Sequence, residues 1–166
     1  MAKRKTAEDK EREYQSNPWW FNNEPFNDCK DYAGFVYEIA DTETGKRYIG
    51  KKFFWSMKRV PGRKNRITVE STWREYYSSN DEIKSLVKEF GGSRFKRVIL
   101  SIHELERDVN YEETRQLYAR KVLSEVNEEG ELVYYNGNIE GKRFSNLCIG
   151  IEKRSLFANV DVILGE

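Results

Sequence analysis

Gly34-Phe35-Val36-Tyr37-Glu38-Ile39-Ala40-Asp41-Thr42-Glu43-Thr44-Gly45-Lys46-Arg47-Tyr48-Ile49-Gly50-Lys51-Lys52 is the stretch on which the fold turns. Its first third and its last third are rich in β-branched and aromatic residues. The middle, Asp41 to Gly45, is turn chemistry ending in a glycine that accepts a positive φ. The whole therefore reads as an antiparallel hairpin, and it sets Tyr37 and Tyr48 on neighbouring strands.

Working outward, Ser79-Asn80-Asp81-Glu82 has the composition of a helix N-terminus. Ile83, Leu86, Val87 and Phe90 follow at helical spacing, and Gly91-Gly92 stops the helix. Phe95 to Ile102 reads as a third strand, and Asn110 as the start of a second helix with Leu117, Tyr118, Val122 and Leu123 on its apolar side. From Leu132 the tail alternates short strand-like pieces with loops. Before the hairpin, Met1 to Arg12 is charged and aperiodic, a disordered arm or frayed helix. Pro18-Trp19-Trp20-Phe21 through Phe26 is aromatic enough to be a clasp packed against the sheet. The expected architecture is a small α/β (α+β) fold: a central antiparallel sheet of about three strands flanked by helices, in the order β-β-α-β-α. Its divisions are 1–33 (charged arm and aromatic clasp), 34–140 (the core domain) and 141–166 (a C-terminal extension packed on that domain).

Composition narrows the class of protein. A chain of 166 residues is normally one domain. Its 10 Tyr, 9 Phe and 4 Trp supply bulky core material, while 34% charged residues suit a protein in water. No apolar run approaches the roughly 18 residues that span a bilayer, so no membrane partner is expected. The charged N-terminus does not resemble a signal sequence, and a reducing cytoplasm is the expected location. Cys29 and Cys148 are too few and too far apart for a zinc site or a disulfide framework.

A net charge of +1 would speak against a polyanionic partner if it were spread evenly. It is not: Lys46, Arg47, Lys51, Lys52, Lys58, Arg59, Arg63, Lys64 and Arg66 lie in one block that contains no acidic residue. Such a block is a phosphate-binding footprint, attracting nucleic acid in a salt-dependent way. Lys51, Lys52, Lys58, Arg63, Lys64 and Arg66 are its candidate DNA contacts. The interleaved Phe53, Phe54, Trp55 and Met57 either touch sugars and bases or pack.

At this point the chain resembles the GIY-YIG nuclease family. Phe35-Val36-Tyr37 stands for the first half of that motif and Tyr48-Ile49-Gly50 for the second. Trp73-Arg74-Glu75-Tyr76-Tyr77-Ser78-Ser79 with its following helix, the strand Phe95 to Leu100, the helix start Tyr111-Glu112-Glu113 and the late Tyr134-Tyr135-Asn136 resemble the Seg-type branch, whose members are phage-encoded, often free-standing homing endonucleases. Two departures stand out. Phe35 replaces the first glycine, with Gly34 one place early, and Ser78 stands where the branch commonly has glycine.

The resemblance implies a magnesium-dependent DNA endonuclease acting on double-stranded DNA in the host cytoplasm. Mn²⁺ would be a substitute ion and no small-molecule cofactor is implied. It assigns proton transfer from water to Tyr37 or Tyr48, the single divalent ion to Glu113, and the developing charge to an arginine. Arg74 has the helical context for that last role and Arg59 the usual sequence offset. Tyrosine is an awkward base, since ionising it at pH 7 costs roughly 4 kcal/mol from a reference pKa of about 10. Lys51, Lys52 and the ion would have to lower that figure. Glu113 has a competing reading as the third residue of a helix capped by Asn110, with Glu112 as a shifted alternative ligand. Asn136 is implied to hold either the substrate phosphate or the fold around Glu113. His103, the lone histidine, reads as a surface residue, which leaves Lys52 or water as the acid. Other readings are a repair or recombination nuclease of the same family, or a DNA-binding protein on this fold that does not cleave. A homodimer stays open.

Overall fold

The hairpin forms as the sequence predicts. In a computed structural model that describes residues 4–140 and the backbone of 142–143, α1 covers Ala7–Ser16, β1 Trp19–Phe21, β2 Glu24–Pro25, β3 Gly34–Asp41 and β4 Arg47–Phe53. There follow β5 Trp55–Lys58, β6 Ile67–Glu70, α2 Asp81–Phe90, β7 Phe95–His103 and α3 Glu106–Ala119, and then two-residue strands β8 Asn138–Ile139 and β9 Lys142–Arg143. The expected extension 141–166 otherwise lies outside the described residues.

Strands β3 and β4 pair antiparallel with Tyr37 opposite Gly50 and Ile39 opposite Tyr48. Gly45 closes the turn at φ 73°. The sheet is larger than the three strands expected: it has five, in the order β2-β1-β7-β3-β4. The two extra strands come from the aromatic clasp, which joins the sheet rather than lying on it. Trp19 and Trp20 pair in parallel with Arg97 and Val98, making the sheet mixed. The charged segment is likewise ordered from Ala7, where a helix begins. Thr6 and Asp9 form a reciprocal capping box on α1, and Tyr14 anchors that helix in the core.

Two apolar clusters cover the two faces of the sheet. One gathers Trp19, Phe35, Tyr37, Phe54, Trp73 and Ile83; the other gathers Val36, Ile49, Val109, Leu117 and Tyr134. Helix α3 begins at Glu106, four residues before the expected Asn110, with Leu105 as a cap that makes no side-chain bond. Glu106 and Asp108 in its first turn complement the helix dipole in place of a capping side chain. Asn110 and Glu113 are therefore interior helical residues, and the capping reading of Glu113 is removed. The helix also ends earlier than its apolar run: Lys121 has φ 51°, so Val122 and Leu123 pack from beyond it.

Candidate active site at the open edge of the sheet

Val109, Glu113 and Leu117 are spaced by four along α3, so all three project toward the same side of the helix. The two apolar residues are buried against the sheet. Glu113 thus stands in the middle of a core-facing stripe, where a carboxylate needs a partner. Its partner comes from β4. Ile49 and Lys51 lie two apart on the strand, hence on one face, and while Ile49 packs into the core, the Lys51 ammonium reaches Glu113 Oε2 at 2.6 Å. The Lys51 and Glu113 side chains are 33% and 19% exposed. They look into a cavity of about 410 Å³ that also includes Tyr48, Ser79, Asn110 and Asn138 in its lining.

The tyrosines sit on the opposite face of the same strand pair. Gly50 makes room for both rings: a Cβ there would fall 2.5 Å from Tyr37 Oη and 2.9 Å from Tyr48 Cε1. Only glycine lets the Tyr37 ring lie across β4 beside Tyr48, whose ring centroid is 6.2 Å away. Tyr37 is wholly buried, with its hydroxyl 3.5 Å from that of Tyr76. Tyr48 is half-buried and its hydroxyl meets Ser79 Oγ at 3.1 Å. Burial pushes the Tyr37 phenol well above its ordinary range, and the neighbouring Tyr76 and Tyr48 push the same way. Burial also raises Tyr48, against a hydrogen bond with Ser79 that lowers it. Lys52 lies 4.4 Å above the Tyr76 ring, and burial lowers its pKa.

The cavity exists because β4 is an edge strand that is only partly covered. Arg47 N–H donates to Val133 O, and Tyr135 N–H donates to Arg47 O. One step along, Asn136 takes over with its side chain, accepting from Ile49 N–H at 3.0 Å and donating to Ile49 O at 2.8 Å. Among the described residues the pairing skips Lys51, where the site opens, and resumes only at Phe53 O, which accepts from Ser71 Oγ. Both polar ends of the Asn136 amide are consumed by Ile49. These bonds fit its reading as a residue that holds the fold beside Glu113.

Neither arginine candidate reaches this cavity. Arg74 lies in a turn rather than a helix, bonded to Glu70 and to Asn27 O at 2.9 Å and stacked on Trp73. Arg59 is exposed just beyond β5. Lys51 is the cation lining the cavity among the described residues. The remaining basic candidates, Lys58, Arg63, Lys64 and Arg66, lie at the end of β5 and in the connection of the separate β5–β6 hairpin. His103, read from sequence as a surface residue, is half-buried and shares a 2.8 Å hydrogen bond with Ser101 Oγ. Sequence reading missed the Lys51–Glu113 pair. The signal available was a lone acid in the Val109–Leu117 stripe.

Among the described residues no group of three or more His, Cys, Asp or Glu could hold a metal ion. A single carboxylate opening on a polar, water-sized space nevertheless fits magnesium, which keeps several waters and often takes one protein carboxylate. Glu113 meets that requirement once Lys51 yields its place.

A two-tyrosine hairpin flanked by helices, with a lysine and a glutamate converging beside it, defines a small α+β nuclease fold. The chain belongs to the GIY-YIG endonuclease family of segE type: the family model described as "Putative endonuclease segE, GIY-YIG domain" matches residues 19–139. That span begins at β1, in keeping with the clasp's place in the sheet. No curated protein and no solved structure matches the chain. No helix among the described residues is long and apolar enough to cross a membrane.

Proposed function

We propose that the chain hydrolyses phosphodiester bonds in double-stranded DNA with one divalent ion, magnesium by preference and manganese as a substitute, held by Glu113. The observation that carries this reading is the convergence of Tyr48, Lys51 and Glu113 on one cavity. The ion supplies charge neutralisation at the phosphate and acidifies a water. The chain's own residues divide the rest. Tyr48, which lines the cavity with its hydrogen-bond partner Ser79, takes or relays the water proton, while Tyr37, buried beside it, fixes the Tyr48 ring. Burial keeps Tyr48 a neutral phenol in the free protein, so it becomes a base only when the cationic surroundings of bound DNA and metal favour the phenolate.

Lys51 leaves Glu113 for the scissile phosphate and takes the role assigned from sequence to an arginine, a reading supported by the absence of Arg74 and Arg59 from the cavity lining. Lys52, whose buried amine sheds its proton more readily than an ordinary lysine, or a water serves the leaving oxygen. Lys58, Arg63, Lys64 and Arg66 contact the duplex. We place this chemistry in the host cytoplasm, as a phage-type enzyme of homing or repair. One such site cuts one strand per binding event, so a double-strand cut needs a second copy or a second encounter.

Incubation of supercoiled plasmid with the protein in magnesium and in EDTA tests the reading. Nicking confined to magnesium supports it, with Tyr48→Phe losing about 10²- to 10⁴-fold, as removal of a general base does, and Tyr37→Phe losing less. Equal losses in the two variants would reassign the base. A second reading, binding without cleavage, draws on one observation: the described residues bring no arginine to the cavity. It predicts a gel shift at low salt with no nicking under any metal.

A further inference from the structure

Residues Trp55 to Glu70 stand apart from the rest of the fold. Strands β5 and β6 pair with each other and with no strand of the five-stranded sheet. All four side chains of β5 are exposed, and so is the connection from Arg59 to Arg66 apart from the half-buried Val60. Lys58, Arg59, Arg63, Lys64 and Arg66 make no ion pair with a described residue. By contrast Lys5, Lys10, Lys51, Arg74, Arg94 and Arg120 are all paired. A ribbon with five cations unpaired among the described residues, alongside the single acid Glu70 at its base, is built for a polyanion.

The base is fixed and the tip is free. Trp55 Nε1 donates to Tyr32 O at 2.9 Å, Ser71 N–H donates to Phe54 O at 2.7 Å, and Ser71 Oγ donates to Phe53 O at 2.7 Å. Glu70 accepts from both Trp73 and Arg74. Only Phe54 separates β5 from the end of β4, the strand that carries Tyr48, Lys51 and Lys52. Whatever the ribbon grips is therefore held in register with the cavity.

We propose that the β5–β6 hairpin enters the major groove of double-stranded DNA and sets which phosphate reaches the Lys51–Glu113 cavity, an inference that rests on the nuclease reading above. The major groove admits a two-stranded β-ribbon, and the five steps from Trp55 to Val60 give roughly 17 Å of reach at the usual rise, more than the groove's depth. The tip carries Arg63, Asn65 and Arg66, the side-chain types that pair with guanine and adenine edges. A single strand is a poorer occupant. Such sites stack bases on aromatic side chains, and the ribbon's one aromatic, Trp55, is 37% exposed with its N–H engaged by Tyr32. An acidic protein would want an apolar centre, and the ribbon offers only Trp55, tied by its N–H to Tyr32, and Met57 as exposed large apolar side chains.

The test is equilibrium binding of a short fluorescent duplex in EDTA, where no turnover occurs. The intact chain is compared with an Arg63→Gln/Lys64→Gln/Arg66→Gln variant across a salt series. Affinity should fall at least tenfold, and the slope of log K against log salt should shrink by about 2 to 3, near 0.9 for each phosphate that a cation no longer neutralises. Methyl green, a major-groove ligand, should displace the intact chain, and netropsin, which fills the minor groove, should not. Unchanged affinity and slope, an equal loss on the matching single strand, or displacement by netropsin alone would each overturn the proposal. Failure of the nuclease reading registers elsewhere, as absent magnesium-dependent nicking by a protein whose ribbon still binds.

Discussion

Asp41 and Glu113 are carboxylates set against the same hairpin, one at its turn and one across its outer edge, and they are satisfied in opposite ways. Asp41 is fully enclosed. It accepts two bonds from Arg94 at 2.8 Å, one from Tyr135 Oη at 2.6 Å, one from Thr44 Oγ1 at 2.8 Å and one from the Glu43 N–H at 3.0 Å. Burial alone would raise its pKa, but these donors outweigh burial and hold the carboxyl far below the usual range. Glu113 has a single lysine partner and an open cavity in front of it. A saturated acid has no capacity left for a ligand and serves the fold. One with vacant lone pairs facing a water-sized space can exchange its partner for another cation. The difference is one of capacity: Asp41 is spent on the fold, whereas Glu113 is left able to take another cation.

The comparison breaks first at Glu113. Glu113→Ala should remove cleavage by about 10³-fold or more, the several kcal/mol that a metal-held charge contributes to the transition state. Its melting temperature should change little, because the Lys51 stem can carry the freed ammonium into the cavity. Plasmid nicking and a thermal melt on the same sample decide it. Retained cleavage would move the ion elsewhere.

Asp41→Asn reverses that pattern. Neutralising one member of an enclosed pair strands the Arg94 guanidinium, and the fold should lose about 3 kcal/mol, with cleavage per folded molecule unchanged. The acid side follows from the sign of the shift. The folded pKa is depressed, so Asp41 contributes its stability above the unfolded value of about 4 and loses it as pH falls below that toward the folded value. Denaturant midpoints between pH 5 and pH 2 should drop steeply in the native chain and less so in Asp41→Asn.

This division was only partly legible in the sequence. Turn chemistry at Asp41–Gly45 and apolar alternation exposed the hairpin, and Asn80 with Gly91 bracketed α2, because those signals are local. Strand β1 was not legible, since its partner Arg97-Val98 lies some eighty residues away and aromatic residues suit a clasp as well as a strand. Arg97 itself could not be foreseen as a core residue. It is 1% exposed, stacked on Tyr77 and bonded to three backbone carbonyls in place of a carboxylate. In the candidate site, Tyr37, Tyr48 and Glu113 were picked out by resemblance, and the fold brings Tyr48 and Glu113 to one cavity. Arg74, read from sequence in a helical context, instead lies in a turn tied to Glu70 just beyond the β5–β6 hairpin.

Asn136 sharpens the comparison at a smaller scale. Its amide closes the β4 edge at Ile49, beside the open Lys51, so Asn136→Ala leaves the Ile49 N–H and C=O without partners and should cost about 2 kcal/mol. Asn136→Asp keeps the acceptor for the Ile49 N–H but sets a carboxylate against the carbonyl, and should be no better. If instead Asn136 held phosphate, both variants would melt normally and raise KM. Hydrogen exchange at the Ile49 amide reports which has happened, since only loss of the fold-holding bond exposes that proton.

The smallest effect concerns protons at the open end. The Tyr48 phenol is raised in the free protein, and a base acts only when deprotonated, so cleavage should climb with pH below that raised value. The ceiling is tenfold per unit, about 1.4 kcal/mol between pH 7 and pH 8. Bound metal and phosphate contacts shift where the rise levels off, and the plateau in kcat/KM would report how far the phenol has been lowered by the bound ion. Tyr37→Phe should keep the shape of the profile at reduced height. Removing the reacting hydroxyl in Tyr48→Phe should flatten it, because what little cleavage survives would draw its base from solvent. A Tyr48→Phe profile as steep as that of the native chain would take the titrating group away from Tyr48.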